Sequence, residues 1–582
     1  MTSSSRSGAP PDTEQKEKAR QCILKGAEAI KSNKLDDGEK WFKASLQHVP
    51  DYPVALINLA TVALHRGRVD DATTFAERAV KAQTSVQALS ILAEAYRAAN
   101  RIQDALNILQ EIIRLDPSQG TALQGIASIL ESSGDISAAK KYYRKAVKVD
   151  PENVAATIKY CDLAWRDDHD SVVRLQEGLY ERVRTIPHKA IQILQSLVVY
   201  KEWVERIKRG LLPYHATSLD QLFFKYGLSY LQDIDRQSTI LLDNDPQNVM
   251  ALTAKATASF CLGDAAVAQE HYEKAAPSLP NHIIQSIRFD QPFFEHLENF
   301  VEDDLFSGLP KVDTVRLMKS KPEHVLYLSC NAPYFGSFAI PMIRSLNDRG
   351  ADAAVHIHLM DTSDADLNAA NLFCDGLTNV TAAITSEQPG LTRAPMIESR
   401  CYYHAIRFIR FYQCLQKSQS TLWLSDVDAI VNRNLDNLYP LLGNSDVGMR
   451  VRPGRLEPWN QFNACLVAAK PSASSVTYFR LIAAYIKHFW DSRELRWGID
   501  QLAMYAVYDY LKQFGRAPDL SFFDDKVLDY EYSADGFLWC CSGREKFLIQ
   551  RKVSRDEAIQ ESDDRPTRYL RAYRKYASEI VD

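Results

Sequence analysis

A period of about 34 residues in the first half of the chain constrains its fold more than any other feature. Turn-forming residues fall at Asn33, Gly67, Asn100 and Gly134, at steps of 34, 33 and 34. Five positions after each stands a small residue: Gly38, Ala72, Ala105 and Ala139. Three further on comes a large apolar one: Trp41, Phe75, Ile108 and Tyr142. Asp116-Pro117 and Asp150-Pro151 close two units, and Pro50 closes an earlier one. Two antiparallel helices need a small residue where they cross and a bulky one in the adjoining hole, and proline ends the second helix. Asp245-Pro246, Gly263, Ala268, Tyr272, Ala275 and Pro280 form a further unit, spaced like Gly134, Ala139, Tyr143, Ala146 and Pro151.

These units resemble tetratricopeptide repeats, an α-solenoid of stacked helix pairs. Residues 152–245 are helical in pattern but match the repeat poorly and read as degenerate copies or an insert. The resemblance implies a protein or peptide partner held by the repeats; a purely structural spacer is the plainer alternative.

From about His324 helix pairs give way to alternating strands and helices, the pattern of an α/β layer. Val325–Leu328 reads as a buried strand followed by a turn over Ser329–Pro333. A helix is expected over Phe338–Leu346, stopping at Gly350, and a second strand over Ala353–Leu359. His356 and His358 on that strand read as half-exposed strand residues. Arg400–Leu415 (RCYYHAIRFIRFYQCL) reads as a helix with Tyr403, Arg407 and Arg410 on one face.

Thr421–Val431, TLWLSDVDAIV, is a strand interrupted by two acids. Strand alternation is expected to point Asp426 and Asp428 the same way. Two carboxylates at a strand's carboxyl end suit Mg²⁺ or Mn²⁺, ions commonly shared between one or two acids and substrate phosphates. A surface strand end carries two acids by chance just as readily. Asp446–Arg450 reads as a strand entering the same region, and Trp459–Ala468 as a turn delivering a strand with Asn463 at its start. Trp497-Gly498-Ile499-Asp500-Gln501 opens a helix, where an acid is also favoured for local reasons.

Net charge is −5 with pI near 6.3, which gives no basic footprint for nucleic acid or an anionic membrane. No apolar run reaches the ~18–20 residues of a membrane span. Ten cysteines without C-x-x-C spacing, and a polar start lacking an apolar core, lead to the expectation of a cytoplasmic protein with reduced thiols.

The order of an Arg/Tyr helix (Tyr403, Arg407), L-S-D-V-D (Leu424–Asp428), F-N-A (Phe462–Ala464) and W-G-x-D-Q (Trp497–Gln501) resembles GT-A fold glycosyltransferases, notably retaining ones. The resemblance covers about 322–548. It implies Mn²⁺ or Mg²⁺ on Asp426 and Asp428 against the diphosphate of a nucleotide-sugar donor. It further implies Asn463 and Asp500 on the donor sugar, Gln501 beside the reacting carbon, and Ser329 to Asn331 in the nucleoside pocket. Independently of the resemblance, a helix running back across the sheet is expected to present Arg407 to the rim of the strand ends, an ordinary surface arginine being the alternative. Two departures stand out: Cys465 occupies the family's glycine position, and no late histidine exists after His488. The segment Trp539–Lys546 falls where the late loop belongs, so that Ser542 or a water would complete the metal shell and Lys546 would grip phosphate.

The expected layout is a tail at 1–18, a repeat array at 19–285, a linker at 286–321, the α/β domain at 322–550 and a charged helical tail at 551–582. Two other readings compete with a transferase: a repeat scaffold carrying an inactive transferase-like domain, and an unrelated metal-dependent phosphoryl or nucleotidyl transferase.

Overall fold

The structure, a computed structural model, describes residues 13–32, 34–165, 167–211, 216, 224–349, 353–391, 394, 396–541, 546, 549 and 565–577. Asn33, Gly350 and Ser542, the 1–12 part of the expected tail and residues 551–564 lie outside them. The chain divides into two compact units, 1–185 and 186–582.

The first unit is helical throughout, from Thr13–Lys31 and Leu35–His48 to Val154–Ala164 and His169–Val183. Gly67, Asn100 and Gly134 turn the chain with left-handed φ of 67°, 57° and 87°, as helix ends require. Ala72, Ala105 and Ala139 are fully buried at the crossings, and a Cβ on Gly38 would meet Ile30 Cδ1 at 2.5 Å. The bulky partner sits one residue later than the sequence suggests. Trp41 is exposed, whereas Phe42, Leu109 and Tyr143 are buried, because residues four apart stack on one helix face. Separate small cores lie between successive pairs.

The second unit begins with helices, not strands. Pro187–Lys208, Leu228–Asn244, Val249–Cys261 and Ala265–Ala275 cluster with the sheet, and they lie within the 19–285 stretch expected as a repeat array. The strands are β1 (Asp313–Arg316), β2 (His324–Asn331), β3 (Ala353–Met360), β4 (Val380–Glu387), β5 (Thr421–Ser425), β6 (Ala429–Val431), β7 (Val447–Val451), β8 (Phe462–Ala469), β9 (Leu520–Phe522), β10 (Leu528–Asp529) and β11 (Leu538–Cys540). The main sheet runs β1-β4-β3-β2-β5-β8-β7-β9, and a small sheet runs β10-β11-β6. Strands β4, β3, β2 and β5 are mutually parallel, and β8 is antiparallel to both β5 and β7.

The chain grows outward from β2 through β3 to β4, returns along the helix Met396–Leu415, and lays β5 on the other side of β2. That reversal is a topological switch point, and in open α/β sheets ligands sit outside the strand carboxyl ends there. Ser329, Cys330 and Asn331 complete β2 instead of forming the expected turn. His358 is buried, not half-exposed. It shares the Thr385 hydroxyl with His356 at 2.9 and 2.8 Å, and burial pulls the His356 imidazole down to about 3. This pair is structural. Among the described residues no helix is long and apolar enough to cross a membrane.

Candidate functional site

The Ser425–Asp428 stretch owes its form to a change of sheet. β5 ends at Ser425 in the large sheet, and β6 starts at Ala429 in the small one. Asp426 and Asp428 therefore stand on a bend between sheets, not on a continuous strand as the alternation argument assumed. The Asp426 amide donates to the Cys465 carbonyl at 2.8 Å, and the Cys541 amide donates to the Asp428 carbonyl at 2.9 Å. One bond ties the bend to β8 and the other to the end of β11. Tyr569 OH donates to the same Asp428 carbonyl at 3.3 Å. The terminal helix Arg565–Ala577 thus packs its Tyr569 into the core beneath the site.

Arg407 is the hub. Its guanidinium pairs with Asp426 and donates to Asp500 Oδ2 and to the Ala464 carbonyl, both at 3.2 Å. His404, one turn earlier on the same helix, reaches Asp500 Oδ2 at 3.0 Å and stacks on Trp497. Burial pushes the Asp500 carboxyl up, but His404 and Arg407 outweigh it and hold the acid at about 2. Burial likewise pushes Asp426 up, and Arg407, His404 and Lys546 bring it below the ordinary carboxylate range. Asp428 ends above its usual value, because burial and Asp426 together outweigh Lys546. Lys546 pairs with Asp428 and also feels Asp426 and Tyr334.

Five of the residues expected at a site are thereby joined: Arg407, Asp426, Asp428, Asp500 and Lys546. Gln501 follows Asp500, to whose Oδ1 its amide donates at 2.9 Å, while its side-chain Oε1 is buried without a donor. Asn463 spends Oδ1 on the Cys465 amide at 2.7 Å and leaves Nδ2 buried without an acceptor. Asn331 caps the turn after β2 by accepting from the Tyr334 amide at 3.1 Å. Ser329 is not joined to the carboxylates; its hydroxyl is buried and unpartnered. Tyr403 OH donates to Asp361 instead, at 2.7 Å. His404 escaped the sequence reading, although its i, i+3 spacing from Arg407 was the available signal. Arg410 turns away to the buried Glu387, 2.8 Å off.

Among the described residues no group of three or more histidine, cysteine or acidic side chains is placed to hold an ion. Two carboxylates still fit a hard divalent ion whose other positions go to phosphate and water. Asp426 and Asp428 both interact with the Lys546 ammonium, so the space between them already suits positive charge.

Tetratricopeptide repeat profiles match residues 53–78, 87–118 and 120–153. Residues 53–153 carry tetratricopeptide repeats. Anaphase-promoting complex subunit 7 of Arabidopsis thaliana is 30% identical over 98 residues, 17% of this chain and 18% of that protein. The match thus spans under a fifth of that relative's length. Among solved structures, a tetratricopeptide repeat protein from Parabacteroides merdae is 15% identical with a TM-score of 0.30, covering 48% of this chain and 97% of its own. A thermophilic repeat protein of Thermus thermophilus is 17% identical with a TM-score of 0.27, over 31% and 98%.

Proposed function

We propose that the chain is a protein-docking repeat array joined to a nucleotide-sugar glycosyltransferase of GT-A type. What supports the enzymatic half is the convergence of Arg407, Asp426, Asp428, Asp500 and Lys546 at the carboxyl ends of β2 and β5, where strand order reverses. Local structure alone gives no reason for five ionic groups from four separate segments to meet there, and burying them is costly.

Asp426 and Asp428 would hold Mn²⁺ or Mg²⁺, which would supply positive charge against the donor's diphosphate. Arg407, fixed by Asp426 and Asp500, orients the first acid and holds it ionised. Lys546 is placed to neutralise charge on departing phosphate oxygens. Asn463 Nδ2 and Gln501 Oε1, an unmatched donor and an unmatched acceptor, suit the hydroxyls of a sugar. The acceptor hydroxyl would attack the anomeric carbon as the bond to the diphosphate breaks, its proton passing to the departing phosphate oxygen. The test is metal-dependent hydrolysis across a panel of nucleotide sugars: turnover by the native chain and its loss in Asp428→Ala supports the reading, and a flat panel removes it.

The docking half is supported by the repeats themselves and by a relative named as a subunit of a complex. A cavity of about 280 Å³ lined by Leu64, Glu94, Arg97 and Ala98 lies on the first helices of adjacent pairs. A second reading keeps this docking role and drops catalysis. It draws on Asp426 and Asp428 each already having a cationic partner, and on the repeat matches over 53–153. On that reading partners bind while every nucleotide sugar stays intact.

A further inference from the structure

Beside the carboxylates lies a second polar cavity, of which the transferase reading uses Asn463 alone. It holds about 260 Å³ and is lined by Arg450, Arg452, Pro453, Arg455, Asn463 and Tyr530. No acid lines it. Arg450 pairs with Asp525, so two guanidinium charges remain. Among the described residues Arg452 has neither a carboxylate nor any side-chain acceptor, although its side chain is only partly exposed. Burial pulls its guanidinium below the ordinary value; Cys465 and Tyr530 oppose this, and neighbouring Arg455 and Arg450 add to it. The unmatched groups on the cavity wall are donors: Arg450 Nε and Asn463 Nδ2 are both buried without an acceptor. Tyr530 has already donated its hydroxyl hydrogen to Cys465 Sγ, at 3.7 Å.

The cavity is a built feature, not a surface accident. Arg450 and Asn463 face each other across β7 and β8, where the register shifts between Met449 and Arg450. Such bulges re-aim side chains beside active sites. The loop that follows is fastened by the helices ahead of the sheet. Trp203 Nε1 donates to the Pro453 carbonyl at 3.4 Å, and Cys261 Sγ to the Leu456 carbonyl at 3.2 Å. Gly454 has φ +71°, and a Cβ there would meet Trp203 Nε1 at 2.6 Å. With Arg450 already paired to Asp525, the half-buried Arg452 and the exposed Arg455 give the cavity an excess of positive charge.

We propose that this cavity is an oxyanion site, taking the carboxylate or phosphate of a small sugar derivative next to Asn463. Guanidinium forks grip planar or tetrahedral oxyanions through paired N–H bonds. The volume falls just under the ~300–1,000 Å³ of ordinary small-molecule pockets, which suits a monosaccharide-sized group and not a whole nucleotide. Only the identity of the carrier, a sugar, rests on the transferase reading; the anion preference rests on the arginines.

Calorimetric titration of the full chain with glucuronate, inorganic phosphate and neutral glucose tests this. Glucuronate or phosphate should bind and glucose should not, and whichever anion binds more tightly identifies the oxyanion. Arg452→Met should weaken that binding by roughly 10- to 100-fold, the worth of hydrogen bonds to a charged group. The exposed Arg455→Met, whose folding is not at risk, should weaken it in the same direction. Failure of both anions to bind, or equal affinity in the native chain and both variants, overturns the proposal. A parallel titration of the native chain with nucleoside diphosphates and Mn²⁺ separates the two ideas. Its failure beside intact anion binding removes the transferase and leaves the pocket.

Discussion

The two compact units use opposite physics. In the repeat unit the contacts that matter are apolar and near in sequence: Ala72, Ala105 and Ala139 at crossings, Phe42, Leu109 and Tyr143 in the holes, each pair with its own small core. In the α/β unit the decisive contacts are ionic, buried and distant in sequence, as when Arg407 reaches Asp500. Stacked repeats share their stability with nearest neighbours only. A buried ionic network is instead all or nothing, since losing one member strands the others. Stability suffices to explain the first arrangement. The second gains little over an apolar core of the same volume, yet is strongly destabilised when one partner is removed.

The largest effect should come from breaking that network at its hub. Arg407→Met leaves the buried Asp500 and the partly exposed Asp426 without their shared cation, at an expected cost of ~3–5 kcal/mol. Urea unfolding followed in the second unit reads it, and a loss below about 1 kcal/mol would put the network on the same footing as an exposed ion pair.

Next in size is a pH effect. The folded Asp500 acid titrates at about 2 against an ordinary 3.8. Because the folded value is depressed, its stabilisation is complete above pH 3.8 and is lost as pH falls toward 2. The difference amounts to about 2 kcal/mol. Unfolding free energies of the native chain and Asp500→Asn, compared between about pH 5 and about pH 2.5, should show the native curve falling more steeply.

The smallest effect belongs to the repeats. Ser85 caps the helix Val86–Ala98 by accepting from the Ala88 amide at 3.2 Å, so Ser85→Ala should cost ~1 kcal/mol. Amide exchange should quicken in that helix and its neighbours and leave β2 and β5 unchanged. Faster exchange in the sheet would blur the contrast between the units.

The same contrast explains what a reader of the sequence could see. The repeat is local, so its period and left-handed turns at Gly67, Asn100 and Gly134 were legible, and only the filling residue was misplaced by one. In the α/β unit the alternation of strands and helices was legible, and so was the grouping of Arg407 with Asp426 and Asp500 as residues of interest. The reason Asp426 and Asp428 meet was not legible, because a switch from one sheet to another leaves no periodic trace. Nor was the assignment of the 187–275 helices to the sheet: their repeat-like spacing at Gly263, Ala268 and Tyr272 is genuine, but Trp203 and Cys261 spend their outer faces on the 453–456 loop. The arginine cavity stayed hidden for the same reason, being built by a bulge and a loop.

If Asp426 and Asp428 bind a nucleoside diphosphate through a divalent ion, calorimetric titration of nucleoside diphosphates into the full chain, with and without Mn²⁺ and again with Asp428→Asn, will show it. One diphosphate should bind with the metal, and that binding should vanish without it and in the variant. A folded native chain that binds none of them, or a variant that binds as well as the native chain, would contradict the account.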